Sequence, residues 1–246
     1  MKALILAGGR GSRLNEATAA RNKCMLRYDG RYILEYSFEN ALMAKVESIV
    51  LLVGYHAESI INEFGNSYRG VPIQYVIQWE RKGLVHAIEC TRETIAGSDF
   101  FLFLADEVMV EPRHAEMRAS FEATGAFGLC GVVRADDIAN VSRTYTIFHN
   151  QDDGRIHRLI EKPRNPLNNI QGTGNCVFRN GIFDYIQHTP INQVRQEKEL
   201  PDLIQCAVDD GQPVKMHRVG ERYINVNAMD DFRAAFALLE KHADSF

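Results

Sequence analysis

Gly8, Gly9 and Gly11 follow directly on the apolar run Ala3-Leu4-Ile5-Leu6, and two cations, Arg13 and Lys23, come soon after them. A buried strand that ends in glycines lets the backbone approach an anion closely, because no Cβ blocks it and glycine takes positive φ readily. Arg13 and Lys23 add fixed positive charge suited to a polyphosphate. The stretch Leu6-Ala7-Gly8-Gly9-Arg10-Gly11-Ser12-Arg13 therefore reads as a cradle for a nucleoside triphosphate. Two familiar phosphate loops do not fit. The dinucleotide fingerprint Gly-x-Gly-x-x-Gly would need glycine at Leu14, and the Walker pattern needs Gly-Lys-Ser/Thr.

A second chemical feature is Phe100-Phe101-Leu102-Phe103-Leu104-Ala105-Asp106-Glu107, an apolar run that stops abruptly in two acids. Ligands of open α/β sheets gather at such carboxyl ends, which makes Asp106 a candidate for ligand contact.

Short apolar runs rich in β-branched and aromatic residues must hold these groups in place. Strands are expected at 3–7, 48–53, 73–77 and 100–104. Helical spacing at Leu34, Phe38, Leu42 and Met43 predicts a helix over 34–44, with further helices over 56–64 and 84–95. This alternation is the pattern of βαβ units and a largely parallel sheet. After Gly125 the rhythm changes: runs at 127–133, 144–148 and 155–161, with the turn signal Asp152-Asp153-Gly154, predict antiparallel strands added to the same sheet. A strand over 175–178, a helix over 200–209 and a closing amphipathic helix over 230–242 complete the reading, with Asp230 and Asp231 placed to cap the last.

At 246 residues the chain suits one large α/β domain rather than two full-sized ones. A hydrophobic content of 46% with 24% charged residues is that of an ordinary water-soluble enzyme. The formal charge of −4 argues against general affinity for nucleic acid. The apolar start is too short for a secretory segment, and the other apolar runs are strand-sized. A cytoplasmic, membrane-free protein is expected, its oligomeric state left open between a monomer and a homo-oligomer. Cys24, Cys90, Cys130, Cys176 and Cys206 are scattered singly, without zinc or redox spacing, and are expected to be reduced.

The segment Leu6-Ala7-Gly8-Gly9-x-Gly11-Ser12-Arg13-Leu14, followed by Lys23 and Cys24-Met25-Leu26, resembles the signature of the sugar-1-phosphate nucleotidyltransferases. Their lysine usually follows proline, where this chain has Asn22. The resemblance extends along nearly the whole chain and implies a single Rossmann-like α/β domain with a mixed, mainly parallel sheet, seven-stranded in that family. Residues 1–125 would mainly bind nucleotide and 126–246 mainly the acceptor. Gln78 and Gly83 resemble the family's base-holding segment: an amide suits a pyrimidine edge, and glycine permits a flat base to come close. Trp79 either stacks or forms a core wall, and His86 reads as a packed neutral histidine. Asp106 resembles the family's Mg²⁺-binding aspartate, with Ala105 replacing its usual glycine. A second ligand is implied at Asn225 or Asn227, and neutral amides there would lean on Asp106 and the nucleotide phosphates for charge. Glu161-Lys162-Pro163 resembles the acceptor segment, its lysine on a phosphate and its glutamate on a sugar hydroxyl. Tyr145, Gly174 and Asn175 join that acceptor set.

The chemistry so implied is attack by a phosphate monoester on the α-phosphorus of a nucleoside triphosphate, with Mg²⁺ as cofactor. Such a nucleophile needs positioning and charge neutralisation more than a general base. Arg13 would draw on the leaving pyrophosphate, Lys23 stabilise transition-state oxygens and Lys162 aim the acceptor. Three alternatives stay open. A CTP-dependent enzyme acting on phosphocholine or a phosphonate keeps the chemistry and changes the acceptor. A metal-dependent glycosyltransferase would want Asp-x-Asp, which Asp106-Glu107-Val108 lacks. A binding protein that has lost turnover would fit the paired asparagines.

Overall fold

The computed structural model describes residues 1–9, 22–28 and 30–243. At its centre the strand Lys2–Ala7 lies between Ser48–Val53 and Phe100–Leu104, parallel to both, with Leu4 opposite Val50 and Leu102. Val71–Ile77 extends this parallel group. These runs are apolar throughout because both faces are covered, and alternate residues serve opposite layers. Ala3, Ile5, Leu51 and Phe103 pack with Leu34 and Phe38 of the helix Ile33–Met43 on one side. Leu4, Val50, Leu52 and Leu102 pack with Val85, Ile182 and Leu203 on the other.

The second half adds antiparallel strands as expected. Tyr145–His149 and Ile156–Glu161 form the hairpin turned by the Asp-Asp-Gly signal, with Tyr145 opposite Glu161. Ile170–Phe178 runs antiparallel to Phe100–Leu104, and Gly128–Arg134 lies antiparallel to it. Among the described residues the sheet has ten strands, in the order Ile156–Glu161, Tyr145–His149, Ile170–Phe178, Phe100–Leu104, Lys2–Ala7, Ser48–Val53, Val71–Ile77, Ser67–Tyr68, with Gly128–Arg134 and Val214–Arg218 joined to it beside Ile170–Phe178. The seven-strand expectation undercounts it. The excess lies at the edges, in the short Ser67–Tyr68 strand and the Tyr145–Glu161 hairpin.

Three further elements differ from expectation. The helix predicted over 84–95 is two pieces, Leu84–Glu89 and Arg92–Ile95, broken at buried Thr91, whose hydroxyl donates to the Ile88 carbonyl at 2.7 Å. The strand expected from Asn175 begins at Ile170 and takes in Gly172 and Gly174. Both glycines sit under neighbours: a Cβ on Gly174 would lie 2.3 Å from Leu104 Cγ, and one on Gly172 2.1 Å from the Tyr145 ring. The helix His114–Thr124 had no expected counterpart.

After Leu104 the chain turns at Asp106 into Glu107–Val110, which leaves the main sheet and pairs antiparallel with Arg222–Asn225. Asn225 stands opposite Glu107, and the Val226 amide donates to the Asp106 carbonyl at 2.8 Å. This ribbon brings the C-terminal asparagines to the strand-end acid. The helix Met229–Ala243 follows, and Asp231 reaches back to the amides of Asn227 and Ala228 at 3.1 and 2.9 Å. That is the carboxylate half of a capping box. No helix among the described residues is long and apolar enough to cross a membrane.

Candidate active site

Two cavities open side by side at the carboxyl ends of the parallel strands. The first, of about 290 Å³, is lined by Gly8, Gly9, Lys23, Gln78, Gly83 and Asp106, together with Leu6 and Ala7. Gly11, Ser12 and Arg13, assigned to the same cradle, lie outside the described residues. Gly8 is required by close packing, since a Cβ there would stand 2.9 Å from Gln78 Oε1. Gln78 is buried and its amide nitrogen is 3.1 Å from His86 Nδ1. Gly83 takes φ +90°, and a Cβ on it would lie 2.8 Å from the Glu197 carboxylate. The space in front of Gly83 thus faces an acid that the sequence reading did not single out. Trp79 is 85% exposed, so it forms no core wall.

Lys23 is placed by the residue before it. The Asn22 amide, 2% exposed, donates to the carbonyls of Ala7 and Tyr55 at 2.8 and 2.9 Å and accepts from Cys24 N at 3.1 Å. It ties the phosphate-loop strand, the next strand's end and the single 3-10 turn Lys23–Met25 together. Its φ is −65°, the value proline would impose. The largely buried Lys23 ammonium pairs with the Asp106 carboxylate. Burial pushes the neighbouring Cys24 thiol far up, which leaves it inert.

The second cavity, of about 240 Å³, shares Leu84, Leu104 and Glu197 with the first. Tyr145, Glu161, Lys162 and Gly174, which the sequence reading grouped as an acceptor set, line it together. Lys162 follows the end of the strand Ile156–Glu161 at φ +43°, its amide held by the Thr144 carbonyl at 2.6 Å. Glu161 lies 2.6 Å from the Arg195 guanidinium and 3.3 Å from Lys162 Nζ. Arg143, Arg195 and Glu199 complete the polar wall. Cations alternating with carboxylates suit a ligand that carries both an anion and hydroxyls. Burial raises the Glu199 carboxyl above its usual range, partly offset by Arg195. Tyr145 contributes its ring, because its buried hydroxyl is spent on the Thr173 carbonyl at 2.8 Å.

Asn175 is the one acceptor assignment that the geometry moves. It is 2% exposed and both ends of its amide are engaged: Oδ1 with His114 Nε2 at 2.8 Å, Nδ2 donating to Glu107 at 2.7 Å. It supports the wall from behind. Glu107, 3% exposed, also accepts from the Gly174 amide at 3.0 Å and from the Tyr223 hydroxyl at 2.7 Å. Burial, with Asp106 beside it, pushes the Glu107 carboxyl up to about 8, while those donors pull it back. Burial takes His114 down to about 4, keeping the ring neutral.

Among the described residues no group of three or more His, Cys, Asp or Glu side chains could hold a metal ion. The residues that the sequence reading assigned to a metal are one carboxylate, Asp106, and the amides of Asn225 and Asn227. Asn225 lines the second cavity, and with Asn227 it also lines a polar recess of about 200 Å³. No hydrogen bond to Asn227 Oδ1 is made among the described residues. One carboxylate and one spare amide oxygen fit Mg²⁺, which keeps waters and takes further oxygens from phosphates.

The chain was compared with known proteins. It is 33% identical over 237 residues to the UTP-glucose-1-phosphate uridylyltransferase AglF of Haloferax volcanii, covering 94% of this chain and 93% of that protein. It is 28% identical to the glucose-1-phosphate thymidylyltransferase of Streptomyces griseus over 87% of this chain, but spans only 59% of that longer protein. Its fold superimposes on a UDP-glucose pyrophosphorylase solved with UDP-glucose at a TM-score of 0.86, with 20% identity and 98% of each chain covered. The sheet that supports both cavities is therefore that of nucleotide-sugar pyrophosphorylases, and the sequence matches the nucleotidyl transferase family model over residues 2–242. With the match to the uridylyltransferase over nearly the whole of both chains, the chain belongs to the nucleotidyl transferase family.

Proposed function

We propose that the protein transfers a nucleoside monophosphate from UTP or dTTP to a sugar 1-phosphate, releasing pyrophosphate, in a Mg²⁺-dependent reaction. The names of its relatives support the substrate class. The observation that carries the reading is the wall common to the two cavities, Leu84, Leu104 and Glu197, with the Lys23–Asp106 pair lining the first of them. A triphosphate in the first cavity and a phosphorylated acceptor in the second would meet there.

In this reading the triphosphate lies along Gly8, Gly9 and the loop carrying Gly11, Ser12 and Arg13, with its base against Gln78 and Gly83. Lys162 and Arg195 orient the acceptor phosphate, while Glu161 takes a sugar hydroxyl. An acceptor phosphate oxygen forms the new bond to the α-phosphorus as the bond to the β-phosphate bridge breaks, and pyrophosphate leaves with the electron pair. No proton need be removed from a phosphate already ionised near neutral pH. Lys23 gives up Asp106 and turns to the developing charge on the α-phosphoryl oxygens, a role for a preorganised cation. Asp106 and an asparagine oxygen would hold Mg²⁺, which would supply further neutralisation of phosphate charge. In this reading residues 1–125 serve mainly the nucleotide and 126–246 mainly the acceptor, with Leu84, Leu104 and Glu107 also on the second cavity and Glu197 also on the first. Five free cysteines fit a reducing, cytoplasmic setting.

The test is a matrix of triphosphates (UTP, dTTP, CTP, ATP, GTP) against glucose 1-phosphate, N-acetylglucosamine 1-phosphate, phosphocholine and a phosphonate, read as pyrophosphate release. Release with UTP or dTTP and a sugar 1-phosphate is expected. Release confined to CTP with phosphocholine or the phosphonate would replace the acceptor assignment. Nucleotide binding without release under any pairing would mean a binding protein.

A further inference from the structure

A further cavity, of about 570 Å³, is larger than either reaction cavity and shares no lining residue with them. It lies where Gly128–Arg134 ends beside Val214–Arg218 and the start of Ile170–Phe178. Register fixes its floor. Arg134 stands opposite Ile170, Val132 beside Arg218 and Cys130 beside Met216, and residues paired across strands, or two apart along one, share a face. Val132, Ile170 and Met216 therefore make an apolar floor continuous with the core layer around Leu102 and Ile182. Arg134 and Arg218 belong to the same face. The walls are pinned: the turn after His149 is held to Val214–Arg218 by the Met216 amide, which donates to the Gly154 carbonyl at 3.0 Å. Asn168, also in the lining, accepts from the Thr146 hydroxyl at 2.8 Å and donates to the Ile147 carbonyl at 3.1 Å. A preformed cavity of this size falls within the range of small-molecule sites, about 300–1,000 Å³.

Its charge is one-sided. No carboxylate lines it, whereas Arg134, Arg218 and His149 do. The Arg134 guanidinium makes no hydrogen bond or ion pair among the described residues, and Arg218 shares the single carboxylate of Glu221 with Arg113. His149 Nδ1 donates to the Asn150 carbonyl at 2.9 Å, which leaves Nε2 for another partner. The side-chain amides of Gln151 and Asn169, also in the lining, have no partner among the described residues. Acids close in sequence are engaged elsewhere: Asp136 with Arg222 at 3.1 Å, and Asp153 with the Arg155 amide at 2.9 Å. Guanidinium forks beside an apolar floor suit a doubly charged anion carried on a flat apolar body, the anion on the forks and the body over Val132, Ile170 and Met216. We propose that this cavity is a second ligand site, separate from the reaction cavities, which binds a phosphate ester of a flat apolar group.

Met216 gives the site its own reporter. With the methionine methyls of the full chain labelled with ¹³C, phenyl phosphate is titrated in and the Met216 signal, identified by its loss in Met216→Leu, is followed by NMR. A saturable shift with half-saturation below about 10 mM is expected. Arg134 is exposed in the fold, so Arg134→Gln should keep the melting temperature and weaken this binding at least about tenfold. Glucose 6-phosphate keeps the phosphate but replaces the flat ring by hydroxyls, and should bind at least about tenfold more weakly than phenyl phosphate. Benzoate keeps the ring but offers a single charge, and should also bind at least about tenfold more weakly. Lys23→Ala should leave the Met216 titration unchanged. No saturable Met216 shift, or one that Arg134→Gln does not weaken, overturns the proposal. Glucose 6-phosphate binding as tightly as phenyl phosphate would overturn the role of the apolar floor, and benzoate binding as tightly would overturn the choice of phosphate. Loss of the shift in Lys23→Ala would place the ligand in the reaction cavity and overturn the second site.

Discussion

Replacing Asn22 by alanine should cost both stability and turnover, by amounts that follow from its three hydrogen bonds. The Asn22 amide satisfies two carbonyls, of Ala7 and Tyr55, and one backbone amide, of Cys24, from a position almost closed to water. An orphaned buried polar group costs about 1–3 kcal/mol. Some of the three will recover water or a relaxed partner, so a loss of about 3 kcal/mol is expected for the variant. The catalytic consequence is separate. Asn22 holds the turn that carries Lys23 against the end of the first strand, and a displacement of about 1 Å at a reacting centre can cost about 10²-fold in rate. Turnover should fall about 10- to 100-fold, with the loss in kcat rather than KM. Asn22→Pro keeps the φ of −65° while losing the hydrogen bonds, so it should retain more activity than Asn22→Ala. Urea unfolding followed by circular dichroism, with steady-state pyrophosphate release, measures both effects. An Asn22→Ala protein with an unchanged urea midpoint and kcat within about threefold of wild type would refute the positioning role.

Three further outcomes are expected. Gly174→Ala would drive a Cβ to 2.3 Å from Leu104 Cγ, so it should destabilise by about 1–3 kcal/mol and lower kcat/KM at least about tenfold, because Leu104 walls both cavities; an unaltered melting temperature would show that Leu104 yields freely. His114, neutral down to about 4 in the fold against an ordinary value of 6.5, binds its proton more readily in the unfolded chain. Stability should therefore fall as pH drops from 6.5 toward 4, by about 3 kcal/mol across the window. His114→Gln should flatten that fall, which urea midpoints at several pH values would reveal or deny. Lys162→Ala should raise KM for the phosphorylated acceptor at least about tenfold and leave that for the triphosphate within about twofold; equal increases would make Lys162 structural.

Much of the site was legible because it is carried by short strand-end segments. Asp106 could be found as the point where an unbroken apolar strand stops in acid, and Lys23 as the cation after a glycine-rich turn. What could not be read depends on contacts between distant segments. Glu107 meets partners 67 to 116 residues away, and nothing in its own neighbourhood distinguishes a buried acid from a solvated one. Arg195 and Glu197 come from the short hairpin formed by Ile191–Asn192 and Glu197–Lys198, a polar stretch without periodicity. The helix His114–Thr124 was missed because its core contact rests mainly on Met117 and Phe121, one turn apart, in an otherwise polar run. Val214–Arg218 alternates with basic residues and carries little apolar signal. The early end of the helix at Cys90 is likewise a tertiary effect, set by the buried Thr91.

The most direct test of the proposed reaction follows the oxygen atoms. A sugar 1-phosphate labelled with ¹⁸O in its phosphoryl oxygens is incubated with the triphosphate and Mg²⁺, and the products are examined by ³¹P NMR and mass spectrometry. Attack by the acceptor phosphate on the α-phosphorus predicts a nucleotide-diphosphate sugar that retains every labelled oxygen, one of them in the new bridge, with unlabelled pyrophosphate. Label in the released pyrophosphate, or a product whose bridge oxygen came from the nucleotide, would contradict it.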